Sequence, residues 1–152
     1  MITGNELLSV MEEEGKLLDR LLEAILKERQ GIVNHDASFL RASLAEMGEV
    51  KVLLDRLEEE RAALAGGKRL RDIISEVDLE FQGKLTVLQQ DLKVKAREAR
   101  CLWRANALLY RQSLSLLSQI EKEICGLQGR HYNQAGEVAG DSLAGKLVSS
   151  SA

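Results

Sequence analysis

Proline is absent from all 152 residues of the sequence. Because proline breaks helices and forms loops, its absence favours long helices joined by short turns. Aromatic residues are also scarce, at 3% of the chain, and leucine, alanine, glutamate, lysine and arginine dominate. This composition is typical of helical bundles and coiled coils. It argues against β folds and against enzymes built around a pocket.

The chain also lacks a dominant charge and a long apolar run. Its net charge is -3, whereas proteins that bind nucleic acid in general are usually clearly basic. No apolar segment approaches the length of a membrane span, and residues 1–5 lack the basic residues that begin a signal peptide. We therefore expect a cytoplasmic protein that binds no nucleic acid and is not inserted in a membrane.

Residues that could carry catalysis are few and scattered. Cys101 and Cys125 fall on one predicted helix, roughly 36 Å apart, so they cannot form a disulfide and are expected to be reduced. The two histidines, His35 and His131, have no partner at metal-ligand spacing. No glycine-rich phosphate loop is present. We expect no catalytic site, no metal and no cofactor.

Apolar residues spaced by three and four predict two helices in the first half of the chain. The first runs over residues 5–33, with Asn5 as its N-cap. The second runs over residues 37–65, with Asp36 before it and Gly66 ending it. The apolar stripe of the second helix contains Leu40, Leu44, Met47, Leu54, Leu57 and Leu64.

A third helix, residues 78–128, is the longest, and residues 68–77 are expected to add one or two helical turns that cap the end of the bundle. Fifty helical residues span roughly 75 Å, whereas the first two helices reach only about 43 Å each. We predict an all-α fold: a three-helix antiparallel bundle or coiled coil over residues 1–128. Residues 129–152, rich in glycine and serine, are predicted to form a flexible C-terminal tail.

The difference in helix length predicts a partner-binding surface. Two short helices cannot cover the long one, so its end would stay apolar and exposed, and such a stripe usually marks a binding site. The tail could fold on the same partner. The candidate partner-binding residues are Leu116, Leu117, Ile120, Ile124 and Leu127 in the helix, and Tyr132, Leu143 and Leu147 in the tail.

Polar residues interrupt the apolar stripes at Glu14, Glu28, Lys51, Arg61 and Asn106. Such residues either reach water from the edge of a core or pair across helices and fix their register. We favour the edge position for Glu14 and Lys51 and a hydrogen-bonded, buried amide for Asn106. The candidate structural polar residues are Glu28, Arg61 and Asn106.

Two further groups lie on the third predicted helix. Trp103 and Tyr110, seven residues apart, are interpreted as core anchors. A basic face spans about 60° and is interpreted as solvated, with docking of an acidic protein surface as the alternative. It comprises Lys93, Arg97, Arg100, Arg104 and Arg111.

The order of these features resembles the FlgN family of flagellar export chaperones. The resemblance covers roughly residues 7–136. It rests on Glu28, on Asp36, on Lys51 followed by Leu53 and Leu54, on Arg61, on Asn106 followed by Leu108 and Leu109 in the segment RANALLYRQSLSLLSQIE, and on Tyr132 with Gly136.

The resemblance implies a specific function. FlgN-type chaperones bind the C-terminal segments of the hook–filament junction proteins FlgK and FlgL in the cytoplasm, prevent their premature association and deliver them to the flagellar type III export gate. The family places partner binding in its C-terminal region, here from about Ser113 onward. Two alternatives stay open: a homodimeric coiled-coil adaptor, and a chaperone of another type III secretion system.

Overall fold

The computed structural model describes residues 4–128, which form helices joined by short turns. The all-α prediction is confirmed. The three-helix count is wrong, because the segment expected to give one or two turns forms a separate helix. The described residues contain four helices: α1 (Gly4–Asn34), α2 (Ala37–Ala65), α3 (Leu70–Glu76) and α4 (Leu79–Gln128).

The chain divides into two units, residues 1–108 and residues 109–152, with the boundary inside α4. The predictions for Tyr132, Leu143 and Leu147, and for a flexible tail over residues 129–152, lie outside the described residues.

Local signals set the ends of α2. The side chain of Asp36 accepts a hydrogen bond from the backbone N–H of Phe39 at 2.9 Å, which satisfies one of the free donors of the first turn. Gly66 ends the helix in the left-handed conformation, with φ of 55°. Both predicted caps are confirmed. Asn5 is not an N-cap, because α1 already includes Gly4 and Asn5 therefore lies inside the helix.

Contacts between the helices of residues 1–108 define their directions. Arg20 on α1 pairs with Glu46 on α2, and Glu14 pairs with Arg61, so α1 and α2 run antiparallel. Asp19 pairs with Lys95 on α4, and the carbonyl oxygen of Ile25 accepts a hydrogen bond from Asn106, so α1 and α4 run parallel. The chain thus travels up α1, down α2 and up α4.

The short helix α3 closes one end of the hydrophobic core. Ile73 and Ile74 on this helix are buried, as is Val77 immediately after it. They pack in one cluster with Leu7, Met11 and Leu85. Burying such side chains stabilises the fold by about 1.5–3 kcal/mol each.

Most of the predicted stripe of α2 is confirmed. Five of its six residues are half-buried: Leu40, Met47, Leu54, Leu57 and Leu64. The sixth, Leu44, is exposed, whereas Ser43 beside it and Val50 are buried. Adjacent helical positions differ by about 100° in direction, so Leu44 points away from the side on which Ser43 lies. Ser43 tolerates burial because its hydroxyl donates to the carbonyl oxygen of Leu40 at 2.8 Å.

Replacing each of two helical glycines by alanine should change the stability of the protein in opposite directions. A Cβ on Gly31 would lie 3.0 Å from the backbone nitrogen of Leu40, whereas one on Gly48 would meet no atom within 4 Å. Gly48→Ala should therefore stabilise the protein by about 0.5–1 kcal/mol through helix propensity. Gly31→Ala should destabilise it by about 1–3 kcal/mol, because backbone must move. Denaturant midpoints of both variants test this, and a stabilising Gly31→Ala would contradict the close approach.

Candidate partner-binding surface

The described part of the second unit, residues 109–128, carries a broad exposed apolar surface. At 100° per residue its side chains cover about 160° of the helix circumference. We call these six residues the apolar stripe: Tyr110, Leu114, Leu116, Leu117, Ile120 and Ile124, each of them exposed.

The apolar stripe extends the set predicted from the sequence. Leu116, Leu117, Ile120 and Ile124 lie where they were expected, and the side chain of Leu127 lies outside the described part. Tyr110 and Leu114 were not among the candidates. Leu114 lies three residues before Leu117 and Tyr110 seven residues before it, and this spacing was the available signal.

Exposed apolar area of this kind favours contact with a complementary surface. Covering one leucine or isoleucine side chain contributes about 1.5–3 kcal/mol before the entropy of association is subtracted. Five such side chains lie together on this helix, so a surface that covers them would gain several such contributions. The sixth member of the stripe, Tyr110, adds an aromatic ring with a phenol group.

A buried amide joins α1 to α4 within residues 1–108. Asn106 is 1% exposed. Its Nδ2 donates to the carbonyl oxygen of Ile25 at 2.8 Å and to Oε2 of Glu28 at 2.9 Å, and its Oδ1 accepts from Nε of Arg29 at 3.0 Å. The amide is thus satisfied at both ends, and each bond ties α4 to a fixed position on α1.

Arg29 is a member of this cluster that the sequence analysis missed. It does not interrupt the predicted apolar face of α1, and it donates its hydrogen bond to Asn106 from the position next to Glu28. Arginine next to glutamate is too common on helix surfaces for the sequence to predict that Arg29 binds a buried amide.

Glu14 and Arg61 form the second polar contact inside the bundle. Nε of Arg61 donates to Oε1 of Glu14 at 2.9 Å, and Glu14 is 7% exposed. The interpretation of Glu14 as an edge residue reaching water is therefore wrong, because α2 covers it and supplies its partner. Lys51, interpreted in the same way, is exposed.

Burial raises the pKa of the Glu14 carboxyl above its ordinary value. The charge and hydrogen bond of Arg61 act in the opposite direction and offset part of this effect, while the nearby charge of Glu58 adds to it. Desolvation thus outweighs the attraction of the pair.

The interpretation of Trp103 and Tyr110 as core anchors is wrong. Trp103 is 54% exposed and Tyr110 is 45% exposed. The residues of α4 that face α1 recur every seven positions and are Leu85, Leu92, Ala99 and Asn106. Trp103 lies beside them. The five residues of the predicted basic face are all exposed, in agreement with a solvated face.

Among residues 4–128, no group of histidine, cysteine and carboxylate side chains is arranged to hold a metal ion. Cys101 and Cys125 are free thiols. In the same part of the chain, no helix combines the length and apolar character needed to cross a membrane.

Comparison with known proteins gives one match. A family model described as FlgN protein matches residues 1–139. No curated protein and no solved structure matches the chain.

Asn106→Ala should lower the free energy of unfolding by about 1–3 kcal/mol, because it leaves the buried Ile25 carbonyl and the Glu28 carboxylate without their donor. Gln90→Ala removes an exposed amide from the same helix and should change stability by less than about 0.5 kcal/mol. Urea denaturation of the two variants makes the comparison. Equal midpoints would mean that the amide does not connect the helices.

The Glu14 carboxyl should make stability depend on pH. Because its pKa is higher in the folded chain than the ordinary value of 4.5, its contribution is largest below that value and is lost as the pH rises through the folded-state pKa. Glu14→Gln cannot titrate. Lowering the pH from about 7 to about 4 should therefore raise the free energy of unfolding of the wild type relative to that of Glu14→Gln.

Chemical denaturation at several pH values measures this difference. Glu12→Gln, which replaces an exposed carboxylate on the same helix, controls for the loss of one acidic group. A difference between the wild type and Glu14→Gln that stays constant, or that shifts toward the glutamine variant in acid, would show that desolvation does not dominate at Glu14.

Proposed function

The chain belongs to the FlgN family of flagellar export chaperones, and on that premise we propose that it binds the C-terminal segments of the hook-associated proteins FlgK and FlgL in the cytoplasm. By covering these segments it would prevent their premature association. It would then deliver them to the export gate. We further propose that the apolar stripe of residues 109–128 is the binding surface and that the tail, residues 129–152, contributes to it.

The exposed apolar stripe is the observation that carries this proposal. A junction-protein terminus that assembles through an amphipathic segment presents a matching apolar face, and a helix supplies the complementary one. Binding lowers the concentration of free segment by mass action. Shielding of this kind needs only the difference in free energy between bound and free states and requires no chemical step.

The stripe also fits a second function, that of a homodimeric coiled-coil adaptor. Tyr110, Leu117 and Ile124 recur every seven residues, as side chains at a helix–helix seam do. Light scattering distinguishes the two functions. A chaperone that keeps its stripe free for a client should have the mass of a monomer at micromolar concentration, whereas an adaptor should have twice that mass.

Replacing Ile120 and Ile124 together by aspartate should abolish client binding, because two unpaired charges would be buried at the contact. Val87→Asp with Val94→Asp is the matched control: it adds the same charges at two exposed valines of α4 outside the stripe. Calorimetric titration with a peptide of the client's C-terminal segment measures both. Equal affinity of the two double variants and the wild type would reject the stripe as the client site.

Removing residues 129–152 should weaken binding of the same peptide while leaving helicity and melting temperature nearly unchanged. The expectation follows from the small apolar content of this segment, which limits its contribution to the core. Circular dichroism and calorimetry on the truncated chain test it. A large drop in melting temperature would show that the segment stabilises the fold, and an unchanged affinity would remove it from the binding surface.

A further inference from the structure

An apolar cavity of about 430 Å³ opens between α1, α2 and α4 within residues 1–108. Each of the three helices contributes apolar side chains to its wall. They are Leu18 and Leu21 from α1, Met47 and Leu54 from α2, and Ala96 and Trp103 from α4. Trp103 is 54% exposed, although large aromatic side chains are usually mostly buried.

This cavity continues into a second one, of about 510 Å³. The two share Leu18, Lys51, Leu54 and Ala96 in their walls. Along α4 the combined walls extend from Gln89 to Trp103, which corresponds to about 21 Å of helix. We call this continuous depression the groove. A small molecule would fill only part of it, whereas its length matches four turns of a helix.

Residues of α1 form the floor of the groove, and α2 and α4 form its two sides. Leu18 and Leu21 on the floor are only partly buried, and Ala96 on the α4 side is short. One more helix laid between α2 and α4 would cover all of these residues by packing side chains against helical ridges. An amphipathic helix is therefore the occupant that the shape fits.

The charges at the groove specify the chemistry of that helix further. At the end near Trp103 the charged lining residues are Lys51 on α2 and Arg100 on α4, one cation from each side. Arg97 and Arg104 lie exposed on the neighbouring face of α4. At this end, a helix bound in the groove would have its apolar stripe between cations on both sides, so carboxylates on both flanks would complement them there. Farther along the groove the charges are mixed, with Lys93 on α4 and Asp55 and Glu58 on α2.

We propose that the groove is a second docking site and that it takes an amphipathic helix of a partner protein whose apolar stripe is flanked by acidic residues at the end that binds near Trp103. The groove and the apolar stripe of residues 109–128 share no residue. The chaperone could then bind a second protein while residues 109–128 are occupied, and the proposal does not depend on the identity of the client.

The fluorescence of Trp103 gives a direct measurement of binding in the groove, because Trp103 is the single tryptophan of the chain and lines the groove. The probe is a tryptophan-free helical peptide of about 18 residues, long enough to span the groove, with a leucine stripe that is flanked by glutamates over one half of its length. Its control peptide has lysines in place of the glutamates. The acidic peptide should shift the emission of Trp103 to shorter wavelength in a saturable manner, and the basic peptide should not.

Two double variants test the charge assignment. Lys51→Glu with Arg100→Glu should weaken binding of the acidic peptide by about tenfold or more, because attraction on both sides becomes repulsion. Lys27→Glu with Arg111→Glu makes the same change in net charge at exposed residues outside the groove and should bind the acidic peptide as the wild type does. Ile120→Asp with Ile124→Asp should also bind it normally, which separates this site from the proposed client site.

Three results would overturn the proposal. One is the absence of a saturable shift with the acidic peptide. Another is equal binding of acidic and basic peptides, which would remove the charge selection. A shift that appears without peptide as the protein concentration and the mass by light scattering rise together would assign the groove to a second copy of the chain.

Discussion

The arrangement of the helices in residues 1–108 depends on the hydrogen bonds that Asn106 makes to α1. A buried amide needs partners at both its nitrogen and its oxygen, and a slide of α4 by one turn would remove all three that it has. The pairs Gly4–Phe81, Gly15–Leu92 and Arg29–Asn106 have the same sequence separation, 77. The offset between α1 and α4 therefore stays close to 77 along their contact, and the pair Asp19–Lys95 has a separation of 76.

Polar contacts in this core set positions, and burial of apolar side chains supplies the stabilisation. The Glu14–Arg61 pair illustrates the difference: desolvation raises the pKa of Glu14 in spite of its partner, so the pair adds little net stability. It holds α2 at one place along α1 nevertheless. The apolar cluster around Met11, Ile73 and Leu85 at the end of the bundle carries more of the free energy of folding.

Much of the fold could be predicted, because the signals are local. The third predicted helix, residues 78–128, matches α4 to within one residue, and the caps at Asp36 and Gly66 marked the ends of α2. The family could be identified in the same way, from single polar residues in a fixed order, and the FlgN match confirms it. The predicted site was incomplete, since Tyr110 and Leu114 lie on the same face as Leu117 but were not among the candidates.

The sequence by itself determined the bounds of α2 and, to within one residue, those of α4, since helices form through bonds between residues four apart and caps three apart. Only the tertiary structure decided which side chains are covered. Glu14 is buried because Arg61 comes from another helix to meet it. Trp103 is exposed because α2 and α4 leave a groove beside it. Burial depends on surfaces distant in sequence, and periodicity within one helix carries no information about them.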